Sequence, residues 1–256
     1  MVYNLHPAQK KIVDSRARFR VVNCGRRFGK TTLAIWEIVA KAFSRNDLKV
    51  VFIANTYQQA RDIAWRELKK ITQAIIVNTN EQRLEIEIKT QDKGTSLIWL
   101  RGWESVDTLR GQGFHLIVMD EVASMRNFWE NWLEVIRPTL TDTRGEVLFL
   151  STPKGYNHFY DLYELAKKDK DFASFHFTTK DNPAIPEEEI QLARQQMTDD
   201  AFHQEYMADF RKVEGLVYPE FKRDIHVIDI VPNYRRERVL GVDFGYTNPT
   251  VVLTID

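Results

Sequence analysis

The chain has 256 residues, 43% of them hydrophobic, and no apolar run reaches the roughly 18 residues that a membrane span requires. Its 36 basic and 36 acidic residues give a formal net charge of zero, so overall charge offers no argument for a nucleic-acid partner. Cys24 is the single cysteine, which excludes a disulfide within the chain and suits a reducing cytoplasm.

The first 180 residues alternate short β-branched runs with longer amphipathic stretches. Strands are predicted over residues 18–23, 49–55, 115–120, 146–151 and 172–178. Helices are predicted over residues 30–45, 57–72, 127–136 and 156–168. Near-continuous apolar strands that alternate with helices favour a mostly parallel sheet covered on both faces. The segment 83–102 breaks this alternation and is predicted to add an antiparallel hairpin that turns at Asp92-Lys93-Gly94.

The last third of the chain has a different pattern. A helix is predicted after Pro186, where Glu187, Glu188 and Glu189 occupy the first turn, in which the helix dipole favours acids. Residues 222–238 are charged and are predicted to form a linker. Residues 239–256 contain a final pair of apolar runs. Because two strands cannot bury a core of their own, we expect these residues to be the start of a further domain that the sequence cuts off.

The segment CGRRFGKTT, residues 24–32, lies between the first predicted strand and the first long helix. It follows the phosphate-loop pattern Gly-x-x-x-x-Gly-Lys-Ser/Thr, with Cys24 in place of the first glycine. Gly25 and Gly29 allow the backbone N–H groups to converge on phosphate oxygens. Lys30 is expected to reach the β- and γ-phosphates, and Thr31 to offer its hydroxyl to Mg²⁺. The alternative is a basic turn before an unrelated helix.

Asp120 and Glu121 follow an apolar run, at the end of a predicted strand. A carboxylate in this place can hold Mg²⁺, and the next one can orient or deprotonate an attacking water. An acidic pair after a strand is otherwise most often a helix cap. Downstream of a phosphate loop, the pattern favours the catalytic interpretation, and hydrolysis over binding alone.

Three further features carry less weight. Ser151 and Thr152 end another predicted strand, where their hydroxyls could sense a γ-phosphate or form an ordinary turn. Gln9 precedes the first strand, and its amide could read the edge of adenine or face solvent. Arg110 lies in the glycine-rich segment LRGQG, from which it could enter a phosphate site or remain on the surface.

Together these motifs resemble the ATPase portion of the large terminase subunit, the motor that pumps DNA into the procapsids of tailed double-stranded-DNA viruses. The resemblance rests on CGRRFGKT, LIVMDE, LSTPKG, TKDNP at 179–183 and FHQEYMADF at 202–210, and it covers nearly the whole chain from Gln9. It implies an α/β P-loop NTPase fold of the ASCE, or RecA-like, class. Such a fold has a mostly parallel sheet flanked by helices, here with an added antiparallel hairpin and a small helical lid.

The resemblance also implies individual roles. Glu121 would activate water, Arg26 would sense the γ-phosphate, and Arg110 would enter the site of a neighbouring subunit in a ring. Ser151 and Thr152 match the motif that couples hydrolysis to movement. The implied nucleotide-binding residues are Gln9, Gly25, Arg26, Arg27, Gly29, Lys30, Thr31 and Thr32. The implied Mg²⁺ ligands are Thr31 and Asp120, and the implied catalytic residues are Glu121, Arg110 and Lys30.

The implied organisation is an ATPase core over 1–180, a lid over 181–221, a linker over 222–238 and the start of an RNase H-like nuclease over 239–256. Asp243 would be the first metal ligand of that nuclease. Because two-metal cleavage needs several carboxylates, this chain alone is not expected to cut DNA. The implied cofactors are ATP and Mg²⁺. The implied partners are double-stranded DNA, further copies of the chain in a ring, the viral portal and the small terminase subunit, in the host cytoplasm and away from any membrane.

Two other functions stay open. A helicase-like superfamily 2 translocase is suggested by DEVA and by ANTYQQA at 54–60, although nothing after residue 180 predicts the five strands of a second lobe. A nucleotide-binding assembly module without turnover would use the same loop and have no need of Glu121. Two basic sets could contact DNA phosphates, although each also fits a solvated face. They are Arg16, Arg18 and Arg20, and Lys89, Lys93 and Arg101.

Overall fold

The computed structural model describes residues 4–211, 239–243 and 251–255. Within the first of these ranges, eight strands form one sheet. They are β1 Phe19–Cys24, β2 Lys49–Ala54, β3 Ile76–Asn80, β4 Glu85–Lys89, β5 Thr95–Gly102, β6 Leu116–Asp120, β7 Glu146–Ser151 and β8 Phe172–Phe177. The chain divides into two compact units, Met1–Val213 and Glu214–Asp256.

The helices of the first unit confirm most of the predicted ones. They are α1 Pro7–Val13, α2 Lys30–Phe43, α3 Tyr57–Ala60, α4 Arg66–Thr72, α5 Phe128–Asn131, α6 His158–Leu165, α7 Glu187–Gln196 and α8 Asp199–Glu205. A π-helical stretch, Arg61–Trp65, joins α3 to α4, and another, Trp132–Ile136, continues α5, so predicted helices 57–72 and 127–136 are each composite. Short 3₁₀ turns lie at Trp103–Leu109, Val122–Ser124, Pro138–Leu140 and Thr179–Asp181.

The order of the strands across the sheet is β3-β4-β5-β2-β6-β7-β1-β8. The six strands from β5 to β8 in this order run parallel to one another, which confirms the predicted α/β fold. The predicted hairpin consists of β4 and β5, but its orientation was predicted only in part. β5 joins β2 in parallel, so only β4 is antiparallel to the main sheet. β3 then pairs antiparallel with β4 at the sheet edge.

Alternate residues of each central strand face opposite sides of the sheet, as a pleated strand requires. Leu116 and Val118 of β6 pack into a core beneath α1, α2 and the α3–α4 segment. Ile117 and Met119 of the same strand pack into a second core with α5, α6 and the segments around them. Helices therefore cover both faces, which explains why these strands read as continuous apolar runs.

The carboxyl ends of β1, β6 and β7 lie at one edge of the sheet, because parallel strands all end on the same side. β7 lies between β1 and β6. The segments that follow these strands are the phosphate loop, the Asp120-Glu121 pair and Ser151-Thr152. Open α/β sheets bind ligands outside the carboxyl ends of their strands, so this edge is the expected location of the site.

In the second unit, β9 Val239–Asp243 and β10 Val251–Ile255 form an antiparallel pair, with Asp243 opposite Val251. This agrees with the two apolar runs predicted there. Throughout the described ranges, no helix is long and apolar enough to cross a membrane.

Candidate nucleotide site

The phosphate loop, residues 24–29, connects β1 to α2. Gly29 has a φ of 101° and Arg27 a φ of 60°, and both values lie in the left-handed region. Glycine enters this region without strain, which fits its presence at position 29. A Cβ at Gly25 would collide with the carbonyl of Tyr206 and with Thr179. The loop therefore requires both of its glycines, one for its backbone angle and the other for close contact.

Cys24 takes the place of the first glycine of the usual loop pattern. Its side chain is fully buried, and burial raises the pKa of the thiol to about 12. The thiol stays protonated at neutral pH and packs as a small apolar residue. The substitution is compatible with the loop because no ligand contact is required of this side chain.

Lys30 begins α2 and extends toward the ends of β6 and β7. Its Nζ donates a hydrogen bond to Oγ1 of Thr152 at 2.8 Å and lies 3.6 Å from the carboxylate of Glu121. The position of β7 between β1 and β6 brings these side chains together. The predicted lysine, coupling threonine and general base thus surround one small volume.

Asp120 and Glu121 occupy different environments. Asp120 is 4% exposed and accepts a hydrogen bond from the N–H of Glu121 at 3.0 Å. Burial, and secondarily the charge of Glu121, raises the pKa of Asp120 to about 7, while Lys30 opposes this shift. Glu121 has a left-handed backbone, with φ 54° and ψ 43°, and a side chain that is 40% exposed. Non-glycine residues in this region are uncommon and cluster at functional sites.

We expect Asp120→Asn to stabilise the nucleotide-free chain at pH 8. The pKa of Asp120 rises from 3.8 to about 7 on folding, so the native state binds more protons between these values. The stability contributed by this group is therefore greatest below about pH 4 and is lost as the pH rises through about 7. The gain at pH 8 should be on the order of 2–4 kcal/mol, shrinking towards pH 4. Urea unfolding of both proteins at several pH values measures it, and a gain independent of pH would contradict it.

The residues predicted to hold Mg²⁺, Thr31 and Asp120, both line the same cavity. Over the described part of the chain, no cluster of three or more histidine, cysteine or acidic side chains is arranged to hold a metal ion. Mg²⁺ usually keeps several waters and binds through one or two carboxylates plus the phosphates of a substrate. The side chains present fit an ion that arrives with a nucleotide, and they do not form a complete protein cage.

The cavity at this edge has a volume of about 960 Å³, which is enough for a nucleotide. It contains every residue of the predicted loop set from Arg26 to Thr32 except Phe28, together with Asp120, Glu121 and Thr152. Residues that were not predicted to be part of the site also line it. They are Ala54, Asn55, Gln59, Ile63, Ser124, Lys154, Asn182, Ile185 and Glu205.

Ser151 and Thr152, predicted as a pair, face different surroundings. Thr152 lines the cavity and accepts the hydrogen bond from Lys30. Ser151 is fully buried, donates to the carbonyl of Thr152 at 2.8 Å and accepts from the N–H of Ala123 at 3.1 Å. Only Thr152 is therefore placed to meet a phosphate. Ser151 instead ties the end of β7 to the segment that follows Glu121.

The structure does not support the prediction that Gln9 reads adenine. Gln9 is 2% exposed; its Oε1 accepts from the N–H of His6 at 3.1 Å, and its Nε2 donates to the carbonyl of Gly29 at 3.0 Å. The amide caps the start of α1 and contacts the phosphate loop. The sequence could not reveal this, because the partner glycine lies 20 residues further along the chain.

The segment after β8 closes one side of the cavity. Asn182, Ile185 and Glu205 line it, in the region predicted to form a lid. Arg26 forms an ion pair with Glu205, and its N–H donates to the carbonyl of the same residue at 2.7 Å. The described part of the lid thus contacts the phosphate loop directly. The predicted domain boundaries at 180/181 and 221/222 stay predictions.

Arg110 lies outside the set of side chains around the cavity. Its guanidinium is exposed, donates to Asp107 at 2.8 Å and to the carbonyl of Glu134 at 3.0 Å, and is 3.8 Å from the Glu134 carboxylate. The side chain follows a turn that ends in Gly111, whose φ is 73°. A role for Arg110 in phosphate chemistry would therefore have to be exercised on another subunit, as predicted.

The predicted DNA-contacting sets are only partly accessible. Arg20 was wrongly included: it is 3% exposed and donates to Glu37 at 2.5 and 3.1 Å. Arg18 donates to two backbone carbonyls, and Arg101 pairs with Glu85. The other three residues, Arg16, Lys89 and Lys93, are exposed. Asp243 ends β9, and its predicted role as a metal ligand stays a prediction.

Comparison with known proteins shows extensive similarity to one family. Residues 21–225 match the family model described as "Terminase large subunit, T4likevirus-type, N-terminal". The large terminase subunit of Escherichia phage T5 is 32% identical over 254 residues, which cover 94% of this chain. The chain spans 57% of the length of that relative.

Solved structures show the same relationship. The large terminase ATPase domain of Thermus phage P74-26 matches with a TM-score of 0.68 and 27% identity, covering 82% of this chain and 95% of that one. The large terminase of another thermophilic bacteriophage, solved in complex with ATP-gamma-S, matches with a TM-score of 0.69 and covers 98% of this chain and 64% of that one. At 19% identity, the second likeness shows a shared fold. The chain belongs to the terminase large subunit family.

Proposed function

We propose that the chain is an ATP-hydrolysing motor that uses Mg²⁺ and drives double-stranded DNA into viral procapsids. The observation that carries this proposal is the convergence of Lys30, Thr152 and Glu121, with distances of 2.8 and 3.6 Å from the lysine ammonium. Membership of the terminase family and the likeness to a domain described as an ATPase support it. The family also weakens the helicase-like alternative.

Nucleotide binding would depend on the loop and the first turn of α2. Backbone N–H groups of the loop and the positive end of α2 would contact the phosphates, and Lys30 would leave Thr152 to contact the β- and γ-phosphates. Thr31 and Asp120 would hold the Mg²⁺ shell. When bound, Mg²⁺ supplies positive charge that offsets the charge on the phosphate oxygens.

Glu121 is the proposed general base. Its carboxylate is partly exposed at the cavity, where it can accept a proton from water as the water oxygen attacks the γ-phosphorus. The bond from phosphorus to the ADP oxygen breaks, and ADP and phosphate leave. Asp120, buried beside it, is the better candidate for the metal shell because it accepts only one hydrogen bond from the backbone here.

Ser151 is the proposed link between hydrolysis and movement. Its hydroxyl connects the end of β7 to Ala123, two residues beyond the general base. Loss of the γ-phosphate would free Thr152 and Lys30 to re-form their hydrogen bond. A shift at Glu121 would in this way be transmitted to the neighbouring strand.

The remaining components of the proposal concern assembly. Arg110 would stabilise the transition state in a neighbouring subunit of a homo-oligomeric ring, as arginine fingers do when supplied in trans. The viral portal, the small terminase subunit and double-stranded DNA are the proposed partners, with contacts to DNA that are independent of its sequence. Nuclease activity would belong to the longer protein, with Asp243 as one metal ligand.

We expect the specific ATPase activity of the chain to rise with protein concentration, because each site would be completed by a neighbour. Steady-state phosphate release with Mg²⁺ and ATP, measured across a wide range of protein concentration, tests this. An activity that is present but independent of concentration would contradict the ring. A chain that binds ATP without turning it over at any concentration would favour the assembly module.

A further inference from the structure

Four consecutive carbonyl oxygens of the phosphate loop accept hydrogen bonds from four different side chains. Thr179 Oγ1 donates to the carbonyl of Arg26 at 2.8 Å, and Asn182 Nδ2 donates to that of Arg27 at 2.6 Å. His6 Nε2 contacts the carbonyl of Phe28 at 2.9 Å, and Gln9 Nε2 donates to that of Gly29 at 3.0 Å. The four donors come from two segments on either side of the loop in sequence. Only Gln9 was predicted to be part of the site.

The tautomer of His6 follows from its two contacts. Its Nδ1 accepts from the N–H of Gln9 at 3.4 Å as the cap of α1, so Nε2 must carry the proton that is donated to Phe28. The imidazole also packs edge-to-face on the buried ring of Phe28, with centroids 4.9 Å apart. Position and orientation of His6 are therefore fixed by both the helix and the loop.

The direction of the loop carbonyls decides where its N–H groups point. In a trans peptide, the C=O and the following N–H point in opposite directions. Holding the carbonyls of Arg26, Phe28 and Gly29 on the outer side turns the N–H groups of Arg27, Gly29 and Lys30 away from the donors. The remaining one, the N–H of Phe28, donates to the carbonyl of Gly25 at 3.3 Å. The three residues whose N–H groups are turned all line the cavity.

We propose that His6, Gln9, Thr179 and Asn182 are positioning residues that hold the phosphate loop in its binding conformation before nucleotide arrives. Carbonyl oxygens that faced the cavity would repel phosphate oxygens, and the clamp of four side chains prevents this. The left-handed conformation of Arg27, whose carbonyl Asn182 holds, is unfavourable without such support. This proposal rests on the loop being a nucleotide site, as in the proposed function.

The motif TKDNP gains a physical role from this arrangement. Thr179 is 1% exposed and begins a 3₁₀ turn that the side chains of Thr178 and Asp181 cap reciprocally. The turn sets Thr179 and Asn182 one loop residue apart, matching consecutive carbonyls. Because α7 begins soon after, the same turn joins the phosphate loop to the lid.

The test compares the affinity of the chain for ADP and for a non-hydrolysable ATP analogue across matched variants. Thr179→Val removes the hydroxyl at nearly constant volume, and Thr179→Ser restores it. Asn182→Ala removes the other donor from a more accessible position, and Gln195→Ala, on an exposed part of α7, is the control. Thermal unfolding without nucleotide verifies folding, and if Thr179→Val does not fold, Asn182→Ala decides.

We expect Thr179→Val and Asn182→Ala each to weaken binding by roughly fivefold, with the serine variant and the control within about twofold of wild type. If the chain turns over ATP, KM should rise by a similar factor and kcat should change little, because the loop binds ground and transition states alike. Unchanged affinity in both variants would overturn the clamp and leave the motor intact. Wild-type binding without turnover, with the same ranking of variants, would overturn the motor and support the clamp. A wild-type chain that binds no nucleotide would overturn both.

Discussion

Replacing Glu121 with glutamine is expected to lower ATP turnover by about 10²–10⁴-fold and to leave nucleotide affinity within a few-fold of wild type. Glutamine keeps the shape of the side chain and can still hydrogen-bond to water, but it cannot accept a proton. The side chain is 40% exposed and lies 3.6 Å from Lys30, so its loss should not disturb the core. Single-turnover phosphate release, together with equilibrium binding of a non-hydrolysable analogue, separates the two effects.

Glu130→Gln is the matched control for this variant, because Glu130 is an exposed glutamate on α5. It should hydrolyse ATP as wild type does. Turnover by Glu121→Gln close to the wild-type rate would show that another group activates the water, and Asp120 would then be the next candidate. A parallel loss of affinity and turnover would instead point to a role in binding.

The Arg110→Ala variant is expected to lose about 10³-fold or more of the ATPase activity measured at high protein concentration. In its own chain, the guanidinium is held by Asp107 and Glu134 at the surface and not at the cavity. The loss would therefore come from the site of a neighbouring subunit. Affinity for nucleotide should stay unchanged at low concentration, where no neighbour is bound.

Arg126→Ala is the control for Arg110→Ala, because Arg126 is also an exposed arginine. Its side chain can be removed without loss of the bond from Trp103 Nε1, which is made to the Arg126 carbonyl. Equal activity of Arg110→Ala and wild type at all concentrations would mean that the site is complete within one chain.

The parallel sheet was predictable because its strands are buried on both faces. The apolar runs at 115–120 and 146–151 have this character, and the structure places β6 and β7 there. β3 was not predicted, since Ile76–Asn80 is mostly polar and lies at a partly exposed edge. The direction of β5 depends on its pairing with β2, which lies more than 40 residues earlier and leaves no local signal.

The candidate site was predictable where one short segment carries the chemistry. The loop glycines, Lys30 and the Asp120-Glu121 pair lie around the cavity, as their spacing indicated. The partners of Gln9 and Ser151 were not predictable, because side-chain hydrogen bonds over 20 or more residues depend on how the elements pack. The same reason hid the contact of Asn182 with the loop, which spans 155 residues.

The central claim, that neighbouring chains complete each other's ATP sites, is tested most directly by mixing two inactive variants. Glu121→Gln retains Arg110 and lacks the base, while Arg110→Ala retains the base and lacks the finger. Phosphate release is measured for each alone and for the mixture, at a total concentration where the wild-type activity has risen. The account predicts that the mixture hydrolyses ATP much faster than the sum of its parts. A mixture no more active than that sum, with both variants binding nucleotide, would contradict it.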